Sequence, residues 1–253
     1  MSSPQAALVR PEGHLAWLRP LRVVPLVLVA MIVVAVLGLV ACAPSVPATA
    51  ARPAPTATSS APPRPGSTPT AAQGALVAMI DALPVSSSTP PAKYVRADFG
   101  AAWADTDRNG CDTRNDVLAR DLLDAQTKPD TRGCVVTSGV LHDPYTGTTL
   151  TWTKAGGGID IDHVVPLEQA WAAGAWTWTT ERREQFANDL PELQATVSST
   201  NRAKGDSPIQ TWTPPDPTYL CTYTTRWVQT KTTWQLTVTQ DEKTRLLHLA
   251  TNC

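Results

Sequence analysis

The sequence predicts an α+β domain of 179 residues, Ala75 to Cys253, pinned by two disulfides and delivered outside the cytoplasm. Three observations point there. Short β-type runs alternate with stretches of helical spacing, and no internal repeat imposes another architecture. Four cysteines fall inside the domain, an even number suited to an oxidising compartment. Everything before Ala75 reads as leader and tether.

In residues 1–42, Arg10, Arg19 and Arg22 form a basic region, and Val23 to Ala41 is a charge-free run of 19 residues. Leu39-Val40-Ala41-Cys42 closes it, which resembles the lipobox of bacterial lipoproteins and implies a signal peptide cut before a lipid-bearing Cys42. An uncleaved signal anchor competes, since 19 apolar residues at about 1.5 Å each can span a bilayer. Pro25 and Gly38 weaken that helix. Both readings put the domain beyond the cytoplasm, at the outer face of the cell membrane or secreted. Residues 43–74 hold eight prolines in 32 positions, cannot bury a core, and predict a disordered, extended tether.

Within the domain, Ala75 to Leu83 has helical spacing and Pro84 ends it. Tyr94 to Trp103 reads as an extended or helical docking segment. Asp116 to Ala125 predicts an amphipathic helix with Val117, Leu118, Leu122 and Leu123 on one side. Gly133 to Leu141 predicts a strand, Asp143 to Gly147 a turn, and Thr148 to Lys154 the returning strand. Ile159 to Val165 predicts another strand, on which period 2 sets Ile159, Ile161 and His163 against Asp160, Asp162 and Val164. Leu167 to Ala175 and Thr180 to Asn188 predict helices, Leu193 to Val197 a short strand, and Asn201 a loop entering a short helix. Arg226 to Leu236 alternates weakly, and Asp241 to Leu249 predicts a last helix.

With Cys42 assigned to the lipid, Cys111, Cys134, Cys221 and Cys253 admit three connectivities. Nearest-neighbour pairing would close separations of 23 (134 − 111) and 32 (253 − 221) and fasten the C-terminus. No pair has CxxC spacing and no histidine clusters with them, which disfavours zinc. The domain carries 16 Lys and Arg against 21 Asp and Glu, a net of −5. That field opposes nucleic acid, so binding to it requires a local basic patch.

The chemistry concentrates in Ile161-Asp162-His163-Val164-Val165-Pro166, answered 38 residues on (201 − 163) by Asn201-Arg202-Ala203-Lys204. A carboxylate and an amide oxygen are hard donors suited to Mg²⁺, and a histidine can take a proton from water near neutral pH. A regular strand would separate Asp162 from His163, so the strand must end or bulge there, in keeping with Pro166.

These stretches resemble the HNH, or ββα-metal, nucleases, which implies a ββα-metal core embedded in a small disulfide-bonded domain with flanking helices. Asn109 to Asp116, Phe186 to Leu190, Asn201 to Asp206 and Cys221-Thr222-Tyr223 extend the likeness to the exported, DUF1524-type branch in its actinobacterial lipoprotein form. The resemblance implies a metal-dependent endonuclease acting on extracellular DNA, with RNA as a further substrate. His163 would be the general base, Asp162 and Asn201 would hold one Mg²⁺ or Mn²⁺, and Lys204 and Arg202 would contact phosphate. Around them, Asp160, Asn188 and Glu192 are candidate supports. Glu192 stands where the family pattern has an asparagine, and an ionised carboxylate cannot donate the amide hydrogen bond to the histidine loop.

Two other readings compete: a non-catalytic surface-binding lipoprotein on the same scaffold, and a phosphodiesterase acting on small or cell-wall phosphodiesters. No obligate protein partner is evident and a monomer is expected. Asp105, Asp107 and Asn109, with Gly110 and Asp116, follow much of an EF-hand loop. Asp rather than Glu at the twelfth position, together with Arg108 and Arg114, disfavours Ca²⁺ in favour of a disulfide-pinned turn. Trp171, Trp176, Trp178, Trp227 and Trp234 are assigned to packing rather than base stacking.

Overall fold

A computed structural model of the chain describes residues 70–253. The expected leader, with Cys42 as its expected lipid site, and nearly all of the expected tether lie outside the described residues. Helix α1 (Ala71–Ala82) starts four residues before the expected boundary because Thr70 and Gln73 form a capping box ahead of it. Its Leu76 and Ile80 enter the larger of two cores, built mainly from helices. Among the described residues no helix is long and apolar enough to cross a membrane.

After a 3-10 turn at Arg96–Phe99, helix α2 (Thr113–Asp121) is capped by Asp112, and strands β1 (Leu122–Thr127), β2 (Val136–His142) and β3 (Thr149–Thr153) form an antiparallel sheet in that order. The helix expected to run to Ala125 therefore stops at Asp121. Leu122 turns into the smaller core and Leu123 is left exposed, while Asp124 at φ 51° breaks any continuing helix. Pairing with β2 overrides the helical preference of Leu-Leu.

Strands β4 (Ile159–His163) and β5 (Leu193–Val197) form a separate antiparallel pair, and helix α5 (Ser198–Lys204) follows β5 directly. Between the strands lie α3 (Leu167–Ala172) and α4 (Thr180–Ala187). Asn201 is thus inside α5, not in the loop expected before it. Ile159, Ile161, Leu193 and Ala195 face the smaller core with α2, while Asp160, Asp162, Gln194 and Thr196 face the other way.

The weakly alternating stretch from Arg226 belongs to helix α6 (Leu220–Thr233), not to a strand. Its threonines obscure the pattern, but Tyr223, Trp227 and Lys231 fall four apart on one buried stripe. Lys231 pairs with Glu242 of helix α7 (Gln240–Ala250) at 2.7 Å, and Trp227 Nε1 donates to the same carboxylate. Disulfides join Cys111 to Cys134 and Cys221 to Cys253, the nearest-neighbour pattern, and the second ties the C-terminus to α6. Replacing Cys221 and Cys253 together by serine should lower stability by about 2–4 kcal/mol in urea unfolding. An unchanged midpoint would show that the helix packing alone holds this end.

Candidate active site

Strand β4 pairs without a bulge as far as His163 opposite Leu193, then stops. Asp162 and His163 therefore point to opposite faces of the ladder. Asp162, His163, Asn201 and Arg202 border one cleft of about 350 Å³, with Arg96 on its other side. Arg202 and Arg96 are exposed and free to meet an anion. Arg96 is a residue that sequence reasoning missed. It lies 67 positions before His163 (163 − 96), and only packing brings the two together.

The His163 ring is buried, and Nε2 lies 2.9 Å from the carbonyl oxygen of Ala187 at the end of α4. A carbonyl only accepts, so Nε2 carries the proton and Nδ1 keeps its lone pair. Burial also pushes the imidazole down from 6.5 to about 3, so the neutral ring is the resident form. A neutral histidine with one nitrogen tied to a carbonyl is oriented as a base.

Asp162 faces inward. Lys204 Nζ donates to both its oxygens at 2.9 and 2.8 Å, and Tyr145 Oη donates to one at 2.7 Å. Burial pushes this carboxyl up, and Lys204 pulls it back. Lys204 is 1 % exposed and also donates to the His163 carbonyl. The expected phosphate contact of Lys204 is thereby corrected, because its ammonium is spent on a buried ion pair that braces the end of β4 from α5. Arg202 and Arg96 remain the exposed cations at the cleft.

Glu192, at 0 % exposure, takes part in the histidine loop as an acceptor. Its backbone carbonyl accepts from Val164 N at 2.9 Å and its Oε1 from Val165 N at 2.7 Å, while Oε2 meets Thr230 of α6 at 2.8 Å. Burial pushes the carboxyl up to about 8, so near neutrality it holds a proton, and its two oxygens accept from Val165 N–H and the Thr230 hydroxyl. Asn188 instead donates to Glu184 and Ala101 carbonyls, fixing the end of α4 next to the Ala187 carbonyl. Tyr145 and Thr230 left no sequence signal, because their partners come from distant elements.

Asp160 accepts from Ser198 Oγ at 2.8 Å and, at a long 3.4 Å, from Asn201 Nδ2. An aspartate accepts, so this contact turns the Asn201 amide to leave Oδ1 for another partner. Among the described residues no three His, Cys, Asp or Glu side chains converge on a metal position. Asn201 Oδ1 is one hard donor suited to Mg²⁺, and Asp162 becomes a second only when Lys204 releases a carboxylate oxygen, since both oxygens now accept from that ammonium. Elsewhere, Asp105 accepts from the amides of Asn109 and Gly110, and the Asn109 side chain donates to Asp107 and Asp116, so this loop is a hydrogen-bonded turn beside the Cys111–Cys134 bridge. All five tryptophans assigned to packing belong to or pack against the larger core.

The family described as GmrSD restriction endonucleases, C-terminal domain, matches residues 112–249, a span holding β4, β5, α5 and every cleft residue but Arg96. The chain belongs to that family. A secreted protein of Arthroderma benhamiae, described as uncharacterized, is 41% identical over 177 residues, which cover 69% of this chain and 83% of the relative. No solved structure matches the chain. The GmrSD C-terminal match ends before Cys253 and begins just after Cys111, so one cysteine of each bridge lies beyond it.

The protonated Glu192 clamp has a pH signature. Its folded value of about 8 lies above its ordinary 4.5, so the folded chain keeps a proton that the unfolded chain has lost. That contribution is full below 4.5 and is lost as pH rises through 8, by up to about 1.4 kcal/mol per pH unit. Glu192→Gln keeps an acceptor oxygen for Val165 N–H and does not titrate. Its stability relative to the parent, from thermal melts, should therefore grow steadily between pH 5 and pH 8.5. A constant offset would contradict a protonated clamp.

Proposed function

We propose that the domain is a divalent-cation-dependent nuclease that hydrolyses phosphodiester bonds of nucleic acid outside the cytoplasm, DNA foremost. The observation that carries this reading is a neutral His163, held as its Nε2–H form, at a cleft shared with Asp162, Asn201 and two exposed arginines. His163 Nδ1 takes the proton of the attacking water. Arg202 and Arg96 hold the phosphate, for which the planar guanidinium fork is suited. Asp162 and Asn201 Oδ1 are the residues to hold Mg²⁺ or Mn²⁺, which when bound stabilises charge on the phosphate and the leaving oxygen. Lys204 keeps the Asp162 carboxylate aligned from α5.

Export is supported by the leader-like first 42 residues, by two disulfides that need an oxidising compartment, and by the secreted relative. Lipidation at Cys42 adds retention at the membrane surface to this proposal.

Supercoiled plasmid incubated with the purified protein should be nicked in Mg²⁺ or Mn²⁺ and left intact in EDTA. His163→Ala should slow nicking by about 100-fold or more, the usual weight of a general base. Full activity in His163→Ala would remove the proposed chemistry. Cleavage of bis(p-nitrophenyl) phosphate with plasmid untouched would instead favour a small-phosphodiester hydrolase.

A further inference from the structure

A second recess, of about 270 Å³, opens beside the phosphate cleft, and the two share His163, Leu167 and Arg96. Its character differs. Phe99, Leu167 and Trp103 supply apolar and aromatic surface, and His163 and Arg96 are the polar side chains at its edge. No carboxylate or amide side chain lines it. Most of its wall comes from residues 96–103, which precede the segment matched to the nuclease family.

That wall is held rigidly. Arg183 donates to the Asp98 carbonyl at 2.7 Å, Ala101 N donates to Glu184 at 2.9 Å, and Asn188 donates to the Ala101 carbonyl at 3.2 Å. Gly100, at φ 75°, lies so close to the Glu184 side chain that a Cβ there would collide with it. Phe99 is fixed edge-on against Tyr94 and packs on Trp171 and Phe186. Trp103 sits at φ 61°, a conformation an aromatic residue seldom adopts, and is half-buried at the mouth.

We infer that this recess is a nucleobase subsite, receiving an unpaired base next to the phosphate that His163 and Arg96 address. The inference rests on the nuclease reading and sharpens it. An aromatic-lined pocket whose hydrogen-bonding side chains are only His163 and Arg96, both shared with the phosphate cleft, accepts any base by its face. A base can enter only when it has left its partner, so single strands, frayed ends and mismatches are the favoured substrates. Stacking also answers the charge problem. A domain with 16 basic against 21 acidic residues cannot rely on bulk phosphate attraction, whereas stacking is indifferent to net charge.

The test uses the purified protein and three dye-labelled probes: a dT 12-mer, an abasic strand with the same phosphates, and the dT strand annealed to dA. Anisotropy in EDTA should show the dT strand binding about tenfold tighter than either other probe, the weight of one stacked base. Trp103→Ala should abolish the difference. Ala97→Trp, which fills the recess from an exposed position and spares the core, should do the same with an unchanged thermal melt. Equal binding of the dT and abasic strands, tight binding of the duplex, or a preference that survives Ala97→Trp would overturn the subsite. The same probes with Mg²⁺ or Mn²⁺ separate the two ideas. Equal cleavage of dT and abasic strands keeps the nuclease and removes the subsite. A dT preference in binding with no cleavage of any probe removes the nuclease and keeps the subsite.

Discussion

Glu192 contributes two acceptors to the turn after β4, a backbone carbonyl for Val164 N–H and a carboxyl oxygen for Val165 N–H. The first bond carries the β4–β5 register one step past His163, and the second fixes the chain where it leaves the ladder. Asp162 and His163 stay on opposite faces of the ladder, and the bonds to Glu192 hold the end of the strand from which both project. The carboxyl can do this in a dry interior because burial keeps its proton on. Its other oxygen meets Thr230, so α6 and the disulfide behind it are part of the same support.

From that turn the site follows in two directions. On one face His163 meets the Ala187 carbonyl, which α4 presents and Asn188 helps to fix. On the other, Asp162 is gripped by Lys204 and Tyr145, joining α5 and the β2–β3 turn to the strand. A buried ion pair is weak evidence for added stability, because desolvation offsets much of the attraction. Its evident consequence here is geometric: the carboxylate is held in one place, and so is α5, which carries Asn201 and Arg202.

The sequence made the chain-local parts of this arrangement legible. Asp162-His163 at a strand end and Asn201 after a second strand follow from short-range pattern and spacing, whereas the cysteine spacing left three connectivities open, of which the nearest-neighbour one is present. β5 coincides with its expected bounds. What failed to show were features decided by distant neighbours. The Thr-rich face of α6 hid a helical stripe, and Leu122 joined a sheet because β2 offered it an edge. Lys204 reads as a solvent cation three residues past Asn201, yet it is buried because Asp162 lies across from it. Glu192 reads as an ionised carboxylate until its burial is known, and Arg96 joins the cleft only through the packing of residues 96–103 on α4.

The central claim is the state of one ring: a neutral His163 with its proton on Nε2 and a free Nδ1. Long-range ¹H–¹⁵N correlation of the imidazole nitrogens, with His163→Ala for assignment, reports it directly. The account predicts the neutral Nε2–H form unchanged from pH 5 to pH 8, since burial holds the ring at about 3. An imidazolium titrating near its ordinary 6.5, or a proton on Nδ1, would contradict it.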